Sequence, residues 1–429
     1  IAATVAYDTR VSLEIAGNGR DELRAEYLAK SGVNLSRLVL SFQDRLNKLT
    51  GGQQPSQQQQ QQPRSGRGTQ QTSQQTSQQQ QLQQLQQQAA AMVPQLWSVV
   101  PLNSGLLTML FAEDAGRVEP PPEGTAVATR AFGDFEGAFE AKIENEGSKI
   151  NVQLDSSYLN GLLGAQWLAL VNLVEDRRWD VLFDRDDANG FRVARADLPV
   201  YLFDWVDQDN VSAVVTGDPA KPFEDGSSDE NQPYDRGAER YKAKNARFDS
   251  LDELYLVAGV SDAFMAAFGD QLTVYLPKDE PMSLPCDDPR ALHRYAVLLA
   301  DPPGQPVLQD PEFPQRLHES VQDLTSGCLL ALTPAQFQVA LTGLGVAVAA
   351  TPTTGTNRIL TNAAKVFKIR ATGSAGAVTK RIEAVVTFAP NYADTTTTQG
   401  QRDQLLDASG ASGLVPGGNL GRIIHWKEE

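Results

Sequence analysis

Three carboxylates surround a tryptophan in the stretch FDWVDQDN, which runs from Phe203 to Asn210. Asp204, Asp207 and Asp209 repel one another at this density, so the stretch needs a balancing feature. Such a group could serve acid–base catalysis, bind a metal ion, or form a solvated acidic surface. Asp204 and Asp207 are three residues apart, which predicts that they lie near one another on a helix, away from its apolar stripe.

A second acidic group, DEN, contains Glu230 and Asn231 and follows on a Gly/Ser-rich stretch that shows neither helical nor strand periodicity. We therefore predict a loop between the two groups. A hard cation such as calcium takes about six to eight oxygens from carboxylates, amides and backbone carbonyls. The two groups together predict a cation site that stabilises a loop which would otherwise repel itself. The stretch 184–191 resembles a calcium loop only partly, because Arg185 occupies its first ligand position.

The remaining residues give little support for catalysis. His293, His318 and His425 are far apart in sequence, and none belongs to a nucleophile motif. The chain contains no GxSxG, HExxH, P-loop or GxGxxG pattern. Paired carboxylates could still hydrolyse glycosidic bonds, but such sites usually use aromatic sugar platforms, and aromatic residues make up only 7% of this chain. We predict that the protein is not an enzyme.

Nucleic acid is a poor default partner for this chain, because its formal net charge is −16. One alternative remains, since FDSLDELYLVAGVSDAF resembles a helix-hairpin-helix module that could bind nucleic acid. Ser250 and Glu253 have the spacing of a capping box at its start. However, Asp249, Asp252, Glu253 and Asp262 would repel phosphate, so we favour a packing role for this segment.

The two cysteines, Cys286 and Cys328, allow two interpretations. They could form one disulfide or remain as two buried thiols, and the sequence does not decide between them. Without a CxxC motif or a Cys/His cluster, a zinc site is not expected.

Helical periodicity dominates most of the chain. An amphipathic helix is predicted from Val11 to Leu49, and Asp197 is placed to cap a helix that carries Asp204 and Asp207. Further helices are predicted over 156–174, 248–269 (two short helices), 287–298, 312–324 and 333–349.

Strands are predicted near both ends of the helical region. One hairpin is expected over 134–143 and 148–154, with its turn at Asn145–Gly147, and a second turns at Gly373–Gly376. Single strands are expected over 272–276 and 421–426. The Gln-rich segment has almost no apolar surface to bury and is predicted to be a disordered linker. A helical block inserted into an antiparallel sheet gives an α+β fold class.

The series YLFDWVDQDN, DENQPY and YKAKNARFDSLDELYLVAGV resembles the minor pseudopilin K family of bacterial type II secretion (general secretion pathway protein K, GspK). The likeness extends to AYDTRVSLEIAGNGRDELRAEYLAKSGV at the start and to FKIRATGS and RIEAVVTF near the end. It covers most of the chain outside the Gln-rich segment, 390–420 and parts of 280–350. MSLPCDD stands where the family usually has an Ile-Asn-Val-Asn-Thr segment.

The resemblance implies a pseudopilin fold: a long N-terminal helix, a small antiparallel sheet, and a large α-helical domain inserted into the sheet. It also implies calcium as the cofactor, with ligands on Asp204, Asp207, Asp209, Glu230, Asn231 and Asn245. Asn231 stands where the family usually has Asp. By the same resemblance the protein is a non-enzymatic subunit at the pseudopilus tip, where its partners are the minor pseudopilins I and J, often with H.

Family resemblance further implies a periplasmic protein that is anchored in the bacterial inner membrane before assembly. The apolar stretch IAATVAY at Ile1–Tyr7 fits the last turns of such an anchor. The expected organisation is an N-terminal helix (1–50), a linker (51–93), a first sheet part (94–154), an inserted calcium-binding domain (155–270), a strand with further helices (271–350), and a C-terminal hairpin, loop and strand (351–429).

Overall fold

The computed structural model describes residues 2–50, 94–105, 137–154, 161–184, 192–235, 240–278, 280–349, 359–389 and 420–429. The predicted linker, 51–93, and most of the calcium-loop-like stretch, 185–191, lie outside the described residues.

The helices of the described residues range from a single turn to the 49-residue helix at the start of the chain. In chain order they are α1 (Ala2–Thr50), α2 (Leu96–Val99), α3 (Leu162–Val174), α4 (Asp180–Phe183), α5 (Leu198–Asp204), α6 (Asp262–Phe268), α7 (Pro289–Leu299), α8 (Phe313–Leu324) and α9 (Pro334–Gly343). Short 3-10 turns join several of them, including one at Leu251–Leu256.

The strands vary in length from two to ten residues. In chain order they are β1 (Leu102–Asn103), β2 (Ala138–Asn145), β3 (Ile150–Asn151), β4 (Val211–Val215), β5 (Phe223–Asp229), β6 (Leu272–Thr273), β7 (Met282–Ser283), β8 (Leu360–Thr361), β9 (Val366–Ala375), β10 (Val378–Thr387) and β11 (Arg422–Glu428). The largest sheet has the order β1-β2-β9-β10-β11.

The chain divides into two compact units. The first contains Ile1–Asp44, Leu96–Glu144 and Val366–Glu429, and the second contains Arg45–Gln95 and Asn145–Lys365. In chain order, almost the whole second unit is therefore inserted between β2 and β9, which are neighbours in the five-stranded sheet.

In the first unit, α1 packs closely against the sheet because small residues line the contact. A Cβ atom on Gly373 of β9 would lie 2.0 Å from the carbonyl oxygen of Ala25 in α1. Ala25, Leu28, Phe139 and Ala375 form the buried cluster between helix and sheet. Replacing Gly373 would force the helix away from the strand.

Of the two predicted hairpins, one is confirmed and one is wrong. β9 and β10 pair antiparallel and turn after Ala375, so Gly373 lies inside the strand and not in the turn. The predicted hairpin around Asn145–Gly147 does not form. A 3-10 turn at Glu146–Ser148 ends β2, and β3 pairs in parallel with β6 instead.

In the second unit, α7, α8 and α9 pack around a fully buried group of aromatic and aliphatic side chains. Leu292, Phe313, Leu317, Phe337 and Leu341 lie at its centre.

The two cysteines form a disulfide in this part of the molecule. The bond between Cys286 and Cys328 joins the start of α7 to the connection between α8 and α9, across a sequence separation of 42 residues. This decides between the two interpretations that the sequence left open.

Four local predictions in the second unit are wrong. The acidic stretch predicted as a loop forms the antiparallel hairpin of β4 and β5. Helix α5 ends at Asp204, so Asp207 lies beyond the helix, and Asp197 makes no side-chain capping bond. Ser250 makes no capping bond either, and the carboxylate of Glu253 accepts from the amide of Asp249.

The predicted α+β class is confirmed. The described residues combine a long N-terminal helix, a small antiparallel sheet and a helical region that the chain inserts between two strands of that sheet.

Candidate functional site

Asp204 is buried because it lies next to aromatic and aliphatic side chains that pack in the core. Helix α5 buries Leu198, Leu202 and Phe203, and the ring of Phe203 stacks on Phe223 with centroids 4.3 Å apart. Asp204 is consequently only 1% exposed. Its Oδ1 atom accepts a hydrogen bond from the backbone amide of Ala213 at 2.9 Å.

Trp205 fixes the start of the acidic stretch. It is 2% exposed and stacks nearly parallel to Phe248, while Tyr234 and Tyr241 contact it edge-on. Its indole Nε1 donates to a carboxylate oxygen of Glu253 at 3.1 Å. The chain then turns, so that Asp207 is half-buried and Asp209 is exposed.

The β4–β5 hairpin brings the second acidic group back to the first. Asp209 accepts a hydrogen bond from the amide of Val211, the first residue of β4, at 2.7 Å. Val211 pairs with Asp229 at the end of β5. Glu230 follows directly and is only 1% exposed.

A third segment adds Asn245, whose φ of +50° is unusual for a residue other than glycine. Its side-chain Nδ2 donates to the carbonyl oxygen of Asp209. The amide of the next residue, Ala246, donates to the carbonyl oxygen of Trp205 at 3.4 Å.

These segments collect buried oxygens that have no hydrogen-bond donor. The atoms are Asp204 Oδ2, Asp207 Oδ1, both carboxylate oxygens of Glu230, and Asn245 Oδ1. Carboxylate oxygens of Asp207, Asp209 and Glu230 lie within 4.8 Å of one another. Within the described residues, none of these acids forms an ion pair with lysine or arginine. Buried acceptors without donors are rare in folded proteins, so the group is a candidate cation site.

The pKa values of three of these acids are raised, which also fits a candidate cation site. Burial is the main cause that raises the pKa of Asp204 to about 6, of Asp207 to about 8 and of Glu230 to about 7. Asp209 adds to all three shifts through charge repulsion. At neutral pH the group therefore resists ionisation unless a positive charge enters it.

The donor set fits a hard divalent cation. Carboxylates and an amide oxygen suit calcium, which accepts about six to eight oxygens in flexible geometry. Zinc and copper prefer thiolate or imidazole, and among the described residues neither joins these acids. The two cysteines are occupied by their disulfide.

Asn231 differs from the other five residues that the resemblance implied as ligands. Its Oδ1 atom accepts from the amide of Ala243 at 3.0 Å, and its Nδ2 donates to Asp229 at 3.0 Å. Asn231 therefore ties the end of β5 to the segment that carries Asn245. Asp207, Asp209 and Glu230 bring their carboxylate oxygens within 4.8 Å of one another, and Asp204 and Asn245 each add a buried oxygen without a donor.

Sequence reasoning missed the role of Glu253, whose carboxylate contacts both Trp205 and Lys244. Its spacing from Ser250 indicated a helix cap, and nothing in the local pattern indicated a partner 48 residues earlier.

Within the described residues, the group of Asp207, Asp209 and Glu230 includes no histidine. His293 on α7 contacts the carbonyl oxygen of Leu308 at 2.9 Å, and His318 on α8 contacts Gln322. His425 lies in β11.

No family model and no curated protein matches the sequence. In its structure, the chain is similar to a chain of the crystal structure of the GspK-GspI-GspJ complex from the enterotoxigenic Escherichia coli type 2 secretion system. The likeness covers 74% of this chain and 94% of that chain, at 13% sequence identity and a TM-score of 0.39. Within the described residues, no helix is both long and apolar enough to cross a membrane.

Proposed function

We propose that this chain is a non-enzymatic minor pseudopilin of type II secretion whose inserted helical unit holds a structural calcium ion. The observation that carries the calcium assignment is the group of five buried oxygens without hydrogen-bond donors, contributed by Asp204, Asp207, Glu230 and Asn245. The pseudopilin assignment is supported by the ordered series of sequence motifs and by a chain order that matches what those motifs imply.

Calcium would be held by Asp204, Asp207, Asp209, Glu230 and Asn245. The ion would supply the positive charge that buried carboxylates need, and it would join α5, the β4–β5 hairpin and the coil that carries Asn245. Because the unfolded chain cannot gather these oxygens, the ion would stabilise the folded state. Its role is therefore structural.

The chemistry of the group supports a subunit without catalytic activity. The acids are joined by neither an imidazole nor an activated nucleophile among the described residues. A carboxylate pair that is bound to calcium is also unavailable as a general acid and base.

The disulfide supports an extracytoplasmic location, since such bonds persist in oxidising compartments such as the bacterial periplasm. We place the protein there, anchored in the inner membrane before assembly. Its partners would be the minor pseudopilins I and J, and also H, in a hetero-oligomeric tip complex.

Co-purification tests the proposal. The tagged chain is expressed in a bacterial periplasm together with I-type and J-type pseudopilins, and an unrelated periplasmic protein serves as the control. We expect a stable complex that contains all three pseudopilins and excludes the control protein. Recovery of a folded, calcium-binding chain without either partner would contradict the pseudopilin assignment.

A gel shift at low salt tests the helix-hairpin-helix alternative. We expect no retardation of DNA or RNA, because acids flank the hairpin of that segment. Retardation that disappears with added salt would favour the nucleic-acid-binding alternative instead.

A further inference from the structure

The segment that carries Asn245 lacks the backbone ladder that fixes the other two parts of the site. Helix α5 and the β4–β5 hairpin position the acids by regular hydrogen bonds. Residues 240–250, in contrast, form neither helix nor strand. This segment is held instead by separate contacts with neighbouring segments. Asn245 Nδ2 donates to the carbonyl oxygen of Asp209, the amide of Ala246 donates to the carbonyl oxygen of Trp205, and Glu253 supplies further contacts.

Glu253 provides such contacts from the 3-10 turn that follows this segment. Its carboxylate accepts from Trp205 Nε1 at 3.1 Å, from Lys244 Nζ at 2.9 Å and from the backbone amide of Asp249 at 2.8 Å. Trp205 lies between two of the candidate ligands, Asp204 and Asp207. Lys244 directly precedes Asn245.

We propose that Glu253 is a positioning residue of the cation site, an inference that rests on the proposed calcium site. Its carboxylate joins the first ligand segment, through Trp205, to the third ligand segment, through Lys244 and Asp249. The side chain is only 12% exposed, so water competes weakly for these hydrogen bonds. Through Lys244, Glu253 thereby helps to hold the segment whose Asn245 oxygen belongs to the site.

The partners of Glu253 also explain why this position needs a charge. Lys244 donates to Asp249 as well as to Glu253, at 2.8 Å and 2.9 Å. Asp249 and Glu253 therefore hold the ammonium group of Lys244 in place, next to Asn245. A neutral side chain at 253 would keep at most part of this arrangement, whereas an apolar one would lose all three donors.

Calorimetric titration with calcium tests the proposal on the purified chain. Glu253→Leu is expected to weaken calcium binding by about 10–100-fold, the usual effect of removing an outer partner of a metal site. Glu253→Gln retains an acceptor oxygen and should fall between this variant and the wild type. Glu224→Leu, which removes an exposed acid of β5, is the matched control and should bind calcium like the wild type.

Terbium luminescence gives a second measurement that a merely structural role would not change. Terbium can replace calcium in oxygen sites, and Trp205 is placed to sensitise its emission. The emission lifetimes in H₂O and D₂O report how many waters the ion keeps. We expect Glu253→Leu and Asn245→Ala each to add a bound water, because both release the same amide oxygen.

The double variant Asn245→Ala/Glu253→Leu decides whether Glu253 acts through Asn245. Non-additive losses, with the double variant no weaker than the weaker single variant, support the proposal. Additive losses, or wild-type affinity in both Glu253 variants, would overturn it. If circular dichroism shows that Glu253→Leu is unfolded, the same comparison is made with Glu253→Gln. Absence of calcium binding in the wild type would instead overturn the calcium site itself.

Discussion

Glu230 is the residue that most clearly separates a cation site from a solvated acidic surface. A surface carboxylate is bonded by water, but Glu230 is 1% exposed and neither of its oxygens has a donor. Leaving one buried charge without a partner costs several kcal/mol. Under the proposed function, a cation would supply the positive charge that Glu230 and its acidic neighbours lack.

The raised pKa values predict how the calcium-free protein depends on pH. Asp204, Asp207 and Glu230 have ordinary values of 3.8, 3.8 and 4.5 and folded values of about 6, 8 and 7. The folded state therefore holds these protons more tightly than the unfolded chain. Their contribution to stability is complete below pH 4 and is lost as the pH rises toward 8.

Thermal melting at several pH values checks this prediction. In chelator, the Tm should fall between pH 5 and pH 8, whereas saturating calcium should remove most of that fall. The increase in Tm that calcium causes should consequently be larger at pH 8 than at pH 5. A calcium effect that is the same at both values would show that the acids are not coupled to the ion.

Asn245 and Asn231 are predicted to behave differently, although the family resemblance implied both as ligands. Asn245→Ala removes an oxygen that has no donor. It should weaken calcium binding by at least ~10-fold, which is the smallest usual loss when an outer partner of a metal ligand is removed. Asn231→Ala removes an oxygen that Ala243 already uses and should have the smaller effect. Calcium titration of both variants makes the comparison, and equal losses would contradict the assignment.

At the scale of elements, the β4–β5 hairpin is what the sequence failed to predict. The residues of β5, FEDGSSD, are mostly polar and carry no alternating apolar pattern. Both strands are also largely exposed, so they lack the apolar residues by which a buried strand is recognised in a sequence. Val211 pairs with Asp229, and this pairing between distant residues can be recognised only in the structure.

The wrong hairpin at Asn145–Gly147 has a related cause. Alternation of apolar and polar residues predicts that a segment is extended, but it does not identify the strand with which it pairs. β3 finds its partner in β6, more than a hundred residues later, and the turn residues only end β2. The β9–β10 hairpin was predictable because its two strands are adjacent in sequence.

Gly164 in α3 offers a prediction whose sign opposes the usual rule for helices. Glycine to alanine inside a helix normally stabilises by roughly 1 kcal/mol. A Cβ atom on Gly164, however, would lie 1.8 Å from the carbonyl oxygen of Pro219, in the connection between β4 and β5. Gly164→Ala should therefore destabilise the protein, by about 1–3 kcal/mol, as overpacked cores do.

The control for this prediction is Gly343→Ala at the end of α9, where a Cβ atom would meet nothing within 4 Å. Urea unfolding of both variants measures the free energies. We expect Gly343→Ala to be neutral or slightly stabilising. A stabilised Gly164→Ala variant would show that α3 and the hairpin connection can separate without loss.

At the scale of the whole molecule, the order of elements was the most predictable property. Helical periodicity gave α7 and α8 within two residues, and it gave α9 and the end of α1, but it placed the end of α9 too late and the start of α1 nine residues too late. The insertion of a helical unit between sheet strands followed from where the strand patterns stopped and resumed. Bonding of the cysteines depended on tertiary proximity, which spacing alone does not reveal.

The site was predictable in composition but not in detail. Acid spacing and the family resemblance together named Asp207, Asp209 and Glu230, whose carboxylate oxygens lie together, and Asp204 and Asn245, which add buried oxygens without donors. They also named Asn231, whose hydrogen bonds depend on a turn that follows β5. Glu253 was missed as a positioning residue because its partners belong to other segments.

Under the proposed function, the acidic group binds calcium, and the ion thereby stabilises the fold. The most direct measurement is the Tm of the chain in millimolar calcium and in chelator, compared with Asp207→Ala/Glu230→Ala. Glu224→Ala/Asp225→Ala, which removes two exposed acids of β5, is the matched control. At a calcium concentration of about 100 times Kd, binding adds ~2.7 kcal/mol to the stability. We predict a clear rise in Tm for the wild type and the control, and little rise for the site variant. No rise in the wild type, or an equal rise in the site variant, would contradict the account.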